Sequence, residues 1–326
     1  MGDEVEVRPM TPADAVGVSE CIARCYGDAY PKAVMYRPDE LAALVGSRSY
    51  NGVVAASRAG VVGHIGFSRP TRESTVVEAG TTVVDPACRG MGLMGRLGVA
   101  LAESVVAEGA VGFIHFPTTA HPVMQRASLS AGGRETGVML AYLPAEARDR
   151  AMGERAEGRL AVTVVYQPLL ESPPQDVHLP RRYRGRILEL AGTLGLTRSA
   201  APSTHTPSGE TVLEHVFDAS RGLQRIWVHH IGTDIAEKVT SVMRGQHSTS
   251  VHVDLPMNVP SIDRAVEELR RCSFAFAAWL PGWAGHDVLR LQFLGAPTEA
   301  ELAPTLFSAE ARALMAVIRA ELLGAE

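Results

Sequence analysis

Residues 83–97 read Val83-Val84-Asp85-Pro86-Ala87-Cys88-Arg89-Gly90-Met91-Gly92-Leu93-Met94-Gly95-Arg96-Leu97. A β-branched apolar run stops at a proline, which cannot donate to a strand ladder. Arg-Gly-x-Gly follows, and then Leu93, Leu97, Ala100, Leu101, Ser104 and Val105 recur at helical spacing. The pattern predicts a strand, a tight loop and a helix. Glycines at 90 and 92 let consecutive backbone N–H groups turn inward with no Cβ in the way. The helix start adds unsatisfied donors and the positive end of its dipole, so the loop suits a phosphate or pyrophosphate. Neither common nucleotide loop is present, since Gly-Lys-Ser/Thr and Gly-x-Gly-x-x-Gly are both missing.

The 326 residues predict two domains. With 46% hydrophobic and 21% charged residues the chain can bury sizeable cores and is not of the disordered class. A formal charge of -5 without a basic block argues against a nucleic-acid surface. Cys21, Cys25, Cys88 and Cys272 contain no Cys-x-x-Cys. The first two lie one helical turn apart, which fits buried thiols better than a metal site or a disulfide. No signal-peptide core and no window of membrane-spanning length is visible, so a cytoplasmic chain with no membrane and no metal is expected.

Upstream, a strand over 5–10 leads to Thr11-Pro12-Ala13-Asp14, a helix start with a proline in the first turn. The stretch 26–36 reads as irregular, and a second short helix follows over 39–45. Strands are predicted over 52–57, 61–68 and 75–84. After the loop and its helix come a strand over 111–116, a helix over 122–130 and a strand over 137–143. A charged, Ala-rich segment over 144–158 reads as a helical linker. Beyond it the order of elements repeats: strands at 160–165, 211–217, 223–230, 250–255, 274–280 and 288–293, with helices at 182–194, 235–243 and 262–269. The predicted division is a domain at 1–146, a linker at 147–159 and a second domain at 160–326.

The segment Val84-Asp85-Pro86-Ala87-Cys88-Arg89-Gly90-Met91-Gly92 resembles the V-x-P-x-x-R-G-x-G loop of the GNAT superfamily of N-acetyltransferases. Thr119-Ala120-His121-Pro122, Ala131-Gly132-Gly133, Pro144, Tyr30-Pro31 and Tyr36-Arg37-Pro38 are similar to a bacterial two-domain, tandem GNAT-like subgroup. The family pattern expects a small residue at 94, where this chain has Met94 followed by Gly95. The resemblance implies a mixed-sheet α/β fold, followed by a second, degenerate GNAT-like α/β domain. In place of Arg-Gly-x-Gly that second half has Ile231-Gly232-Thr233-Asp234, with an acid where a phosphate would sit.

The family also implies acetyl-CoA or another acyl-CoA as donor. It is held by Arg89, Gly90, Met91, Gly92, Leu93, Met94 and Gly95, and by the strand end Thr82-Val83-Val84. The acceptor is an amine on a small molecule, peptide or protein, and Tyr26, Tyr30 and Tyr36 belong to the acceptor side. Glu78 shares a strand face with Gly80 and Thr82 and reads as the general base, its pKa raised by an apolar cleft. His121, at the turn after the fifth strand, is either a general acid or a neighbour of a helix cap. His64 and His115 read as core or cleft histidines. Two other readings stay open: a donor carried on the phosphopantetheine of an acyl carrier protein, and a CoA-binding module without turnover. The aromatic segment Phe274, Phe276, Trp279 and Trp283 would fill the second core, close the acceptor cleft or form a homodimer contact.

Overall fold

The computed structural model describes residues 4–147, 158–203, 206–244 and 250–324. β1 (Glu6–Pro9) runs into the Thr11 cap, where the Thr11 N–H and hydroxyl both donate to Asp14 Oδ2 at 2.8 Å. Pro12 sits where a helix needs no donor. α1 (Ala15–Tyr26) and α2 (Pro38–Gly46) follow. Arg8 grips Asp14 through bonds of 2.8 and 2.7 Å, and this pair holds the carboxyl down to about 2 against an ordinary 3.8. A depressed folded value means the stabilisation is full above the unfolded pKa and is lost as pH falls through the folded one. The Arg8→Leu change is therefore expected to cost about 0.5–1 kcal/mol at neutral pH. Urea midpoints of the two proteins should converge as the acid is protonated.

β2 (Asn51–Ser57), β3 (Gly60–Ser68) and β4 (Val76–Val84) add antiparallel to β1 in chain order. β5 (Gly112–His115), reached through α3 (Leu93–Ala107), lies parallel to β4, as a helical crossover allows. α4 (Pro122–Ser130) precedes β6 (Arg134–Leu143). β7 (Leu160–Pro168) then inserts between β5 and β6, antiparallel to both. Both faces of this sheet are covered. Val53, Ala55 and Val62 pack with Leu97, Leu101 and Val105 of α3, while Val54 and Val61 pack with Val18, Ile22 and Leu41 of α1 and α2.

The sequence places the strand at 160 in a second domain; the structure places it inside the first sheet. Its apolar run is buried throughout, and both its neighbours offer bare ladder edges to it. Most of the expected linker helix falls on 148–157, outside the described residues.

The second half begins with β8 (Gln175–His178), α5 (Arg184–Thr193) and β9 (Arg198–Ala201); β8 and β9 pair in parallel as a separate ribbon. β10 (Val212–Asp218) and β11 (Leu223–His230) form a hairpin, and α6 (Ile235–Arg244) crosses to β12 (Ser250–Pro256), which is parallel to β11. After α7 (Ile262–Arg271) come β13 (Ala275–Leu280) and β14 (Val288–Leu294), with β14 between β12 and β13. The order β10-β11-β12-β14-β13 and its succession of antiparallel, parallel, antiparallel and antiparallel pairings are those of β3-β4-β5-β7-β6. α8 (Ala309–Leu322) packs over β6 and β13.

The halves join where β13 meets β6, giving one 12-stranded sheet. At that seam Gly137 pairs with Ala278, and a Cβ on Gly137 would lie 2.2 Å from the Ala277 carbonyl oxygen. Buried Gln292 ties the strands together. Its amide donates to Val138 O at 3.0 Å and Phe276 O at 2.9 Å, and its oxygen accepts from Leu140 N–H at 2.9 Å. Phe274, Phe276, Trp279 and Trp283 are all buried, and Trp283 reaches across to Phe116 of the first half at 6.1 Å between centroids. Among the described residues no helix is long and apolar enough to cross a membrane.

Candidate active site

β4 and β5 pair only from Val76 opposite Gly112 to Ala79 opposite His115. From Gly80 to Val84, β4 keeps β3 on one side, and among the described residues no strand pairs with it on the other, where its edge is bare; the Val84 carbonyl accepts the Cys25 thiol at 3.5 Å. The β3–β4 register also shifts here, and Thr81 sits at a φ of 56°, a left-handed conformation that costs a non-glycine residue about 1–3 kcal/mol. Strain and unpaired backbone thus coincide at one point of the sheet.

The strand then turns. The Asp85 carboxylate accepts the Ala87 N–H at 2.9 Å and pairs with Arg24 at 2.5 Å, which fixes the Pro86–Cys88 turn. Gly90 and Gly92 adopt φ values of 78° and 72°. The first ladder bond of α3 runs from Arg96 N–H to Gly92 O at 3.3 Å, so the N–H groups of Leu93, Met94 and Gly95 point out of the helix start. A Cβ on Gly90, Gly92, Gly95 or Gly98 would meet nothing within 4 Å. Loop and first helical turns form an open cradle.

A cavity of about 530 Å³ runs from this cradle, past the bare edge of β4, to the side of the sheet covered by α1. Met94, Gly95, Thr82, Glu78, Tyr26 and Tyr30 line it, as does His115, read from sequence as a core or cleft histidine, and so do Gly98, Lys32, Tyr142 and Arg221, to which the sequence reading gives no site role. Other expected site residues lie elsewhere. Val83 and Leu93 are buried in the core, and Val84 packs against it. Arg89, Gly90, Met91 and Gly92 stand ahead of the helix and do not line the cavity. The Tyr36 hydroxyl accepts the Tyr30 N–H at 2.9 Å and so holds the backbone of a lining residue. His121 is the extended N-cap residue of α4 and does not line the cavity.

The two histidines on the strands have different situations. His64 Nδ1 donates to Val53 O at 2.9 Å, and Nε2 accepts from the Tyr50 hydroxyl at 2.8 Å; burial pushes it down to about 4, and it is a satisfied core residue. His115 is also pushed down to about 4 by burial, but its Nε2 is buried without a partner in the cavity wall. It is a neutral imidazole whose side chain forms part of the cavity wall.

Glu78 differs from expectation. Burial alone would raise its carboxyl, yet Lys32, Arg225, Arg221 and Arg290 together hold it below the ordinary carboxylate value. Lys32 Nζ is 3.9 Å from Glu78 Oε1. Arg221 and Arg225 come from the second half, on and beside the β10–β11 turn, whose Ser220 Oγ donates to Pro31 O at 2.7 Å. The cleft is therefore not simply apolar: the second half brings Arg221 to its wall, and the charges of Arg225 and Arg290 also act on Glu78. Glu78 is ionised at neutral pH.

The matching place in the second half is filled by the chain itself. Gly232 N–H donates to Thr211 Oγ1 at 3.1 Å, and Thr233 N–H to Gly209 O at 3.1 Å. A Cβ on Gly232 would lie 2.3 Å from Thr211 N. Asp234 Oδ1 accepts the Thr211 N–H at 2.7 Å. Two loop N–H groups ahead of α6, those of Gly232 and Thr233, are thus already taken by residues 209–211.

Solved structures similar to about half of the chain include proteins described as GNAT acetyltransferases. A GNAT family N-acetyltransferase from Escherichia coli, solved with CoA, is similar at 21% identity over 39% of this chain and 68% of its own, with a TM-score of 0.32. A putative acetyltransferase from Salmonella typhimurium, solved with acetyl-CoA, is 20% identical over 53% of this chain and 98% of its own, with a TM-score of 0.43. A GNAT superfamily phosphinothricin acetyltransferase from Sinorhizobium meliloti, in complex with acetyl-CoA, is 22% identical over 52% and 93%, with a TM-score of 0.40. No protein-family model and no curated protein matches the chain.

Proposed function

We propose that the chain is an N-acyltransferase that moves an acetyl or other acyl group from acyl-CoA to an amine by direct attack. The observation that carries this is the parallel strand pair opening beyond Ala79, in front of a helix that presents Gly95 and Gly98 to an open cavity. The residues fit the donor. N–H groups of the loop and helix start suit a pyrophosphate, and the bare edge from Gly80 to Val84 suits the amides of a pantetheine arm. Bound acyl-CoA supplies an activated thioester carbonyl.

The chain's own groups do the rest. An N–H on the bare edge of β4 donates to the carbonyl oxygen, where charge builds during attack. Ionised Glu78 holds the acceptor ammonium and takes its proton. The cations that lower the Glu78 carboxyl lower the pKa of that ammonium as well, so the free amine becomes more accessible. As the nitrogen–carbon bond forms and the carbon–sulfur bond breaks, the ammonium gives up two protons. One ends on the sulfur of CoA and the other is released through Glu78. The second half, whose strand order matches, is read as a degenerate GNAT-like copy that holds no donor and shapes the acceptor end.

The test is thermal stability with CoA, acetyl-CoA and longer acyl-CoAs. A ligand at about a hundred times its Kd should add about 2.7 kcal/mol, seen as a raised Tm. No shift with any CoA ester would remove the proposal. A shift with a phosphopantetheinyl carrier protein alone would move the donor to that carrier.

A further inference from the structure

Lys32, Glu78 and Arg221 line the acceptor end of the cavity, and the charged groups in and around it are more positive than negative. Arg290 and Asp254 close on each other through bonds of 2.6 and 2.7 Å. That leaves Lys32, Arg221 and Arg225 against Glu78 and Asp218. Asp218 answers Arg221 at 3.2 Å through Nη1, but Arg221 Nε is buried with no acceptor. Arg225 donates Nη2 to the Tyr142 hydroxyl at 2.7 Å, and its Nε is likewise buried with no acceptor. Both guanidinium groups gather at one lining ring, 5.3 and 5.9 Å from the centroid of Tyr142. His252, stacked on the same ring at 5.6 Å, has neither ring nitrogen hydrogen-bonded.

A surplus buried charge destabilises a fold, and a ligand anion beside Arg221 and Lys32 in the cavity wall would relieve it. Glu78, a few residues from the opening of the strands, offers the opposite charge to an ammonium. We propose that the acceptor is an amine that also carries an acidic group, a carboxylate or a phosphoryl group. Its ammonium lies at Glu78, and its acid group is drawn to Arg221, Arg225 and Lys32. This deepens the acyltransferase reading above and rests on it.

The experiment uses the full chain with acetyl-CoA and follows thiol release. Amino acids are compared with their carboxamides, and 3-aminopropylphosphonate with 3-aminopropanol. Acid-bearing members should exceed their neutral partners in kcat/KM by about tenfold or more. Arg221→Met and Arg225→Met, made separately, should shrink that ratio mainly through the KM of the acceptor. Equal or better turnover of the neutral partners by the wild-type chain overturns the inference, and so does acetyl-CoA binding without turnover of any acid-bearing amine. Failure to bind acetyl-CoA at all is a different result, which removes the acyltransferase reading and this inference with it.

Discussion

The Gly95→Asp variant is expected to be more stable than the natural chain and to lose its donor site. Gly95 is the third residue of α3, and a Cβ there meets nothing within 4 Å. Replacing a helical glycine should gain about 0.5 kcal/mol, and an acid in the first turn about 0.3–1 kcal/mol more. The same carboxylate stands where a pyrophosphate would take the helix N–H groups. Like charge and lost approach should cost CoA about 3 kcal/mol, roughly a hundredfold in Kd. A purely structural role for this helix start predicts no such opposition of signs. Urea denaturation and equilibrium dialysis with CoA read the two effects separately. Unchanged CoA affinity in a stabilised protein would mean that the cradle before α3 is not the donor site.

Glu78→Gln is expected to lower kcat roughly a hundredfold while leaving the donor KM in place. The pH profile distinguishes how Glu78 acts. Its carboxyl is held below the ordinary 4.5, so it is ionised at neutral pH and sets no acid limb there. That limb belongs to the acceptor ammonium, whose pKa Glu78 raises and Lys32, Arg221 and Arg225 lower. Removing the carboxylate should therefore move the limb to lower pH, not erase it. Stability should also fall, because the cations lose their anion. This stabilisation is present above the unfolded carboxylate pKa and disappears as pH falls through the lower folded value. A near-normal rate with an unmoved limb would return Glu78 to a structural role.

The loop was legible because its determinants are local. A proline stops a strand, two glycines take left-handed φ, and a helical period begins, all within residues 83–97. Partner choice is not local. The run at 160–168 reads as a new domain because a charged, Ala-rich segment precedes it, yet β5 and β6 offer it ladder edges far back in the chain. The state of Glu78 escaped for the same reason. Its own neighbourhood suggests an apolar cleft, while the charges that decide its pKa come from Lys32, in a stretch with no regular pattern, and from a hairpin turn in the other half. Tyr142 sits on a strand whose apolar run gives no hint of a cavity. The strands β8 and β9 are four residues each and polar, too short for a periodic signal, and α8 lies in a C-terminal stretch for which no element is predicted.

Calorimetric titration of the full chain with acetyl-CoA tests most directly the claim that one half carries the donor and the other does not. One molecule bound per chain is predicted, because the groove before α3 is open while the chain's own residues 209–211 occupy the matching place before α6. Absence of binding, or two molecules per chain, would contradict it.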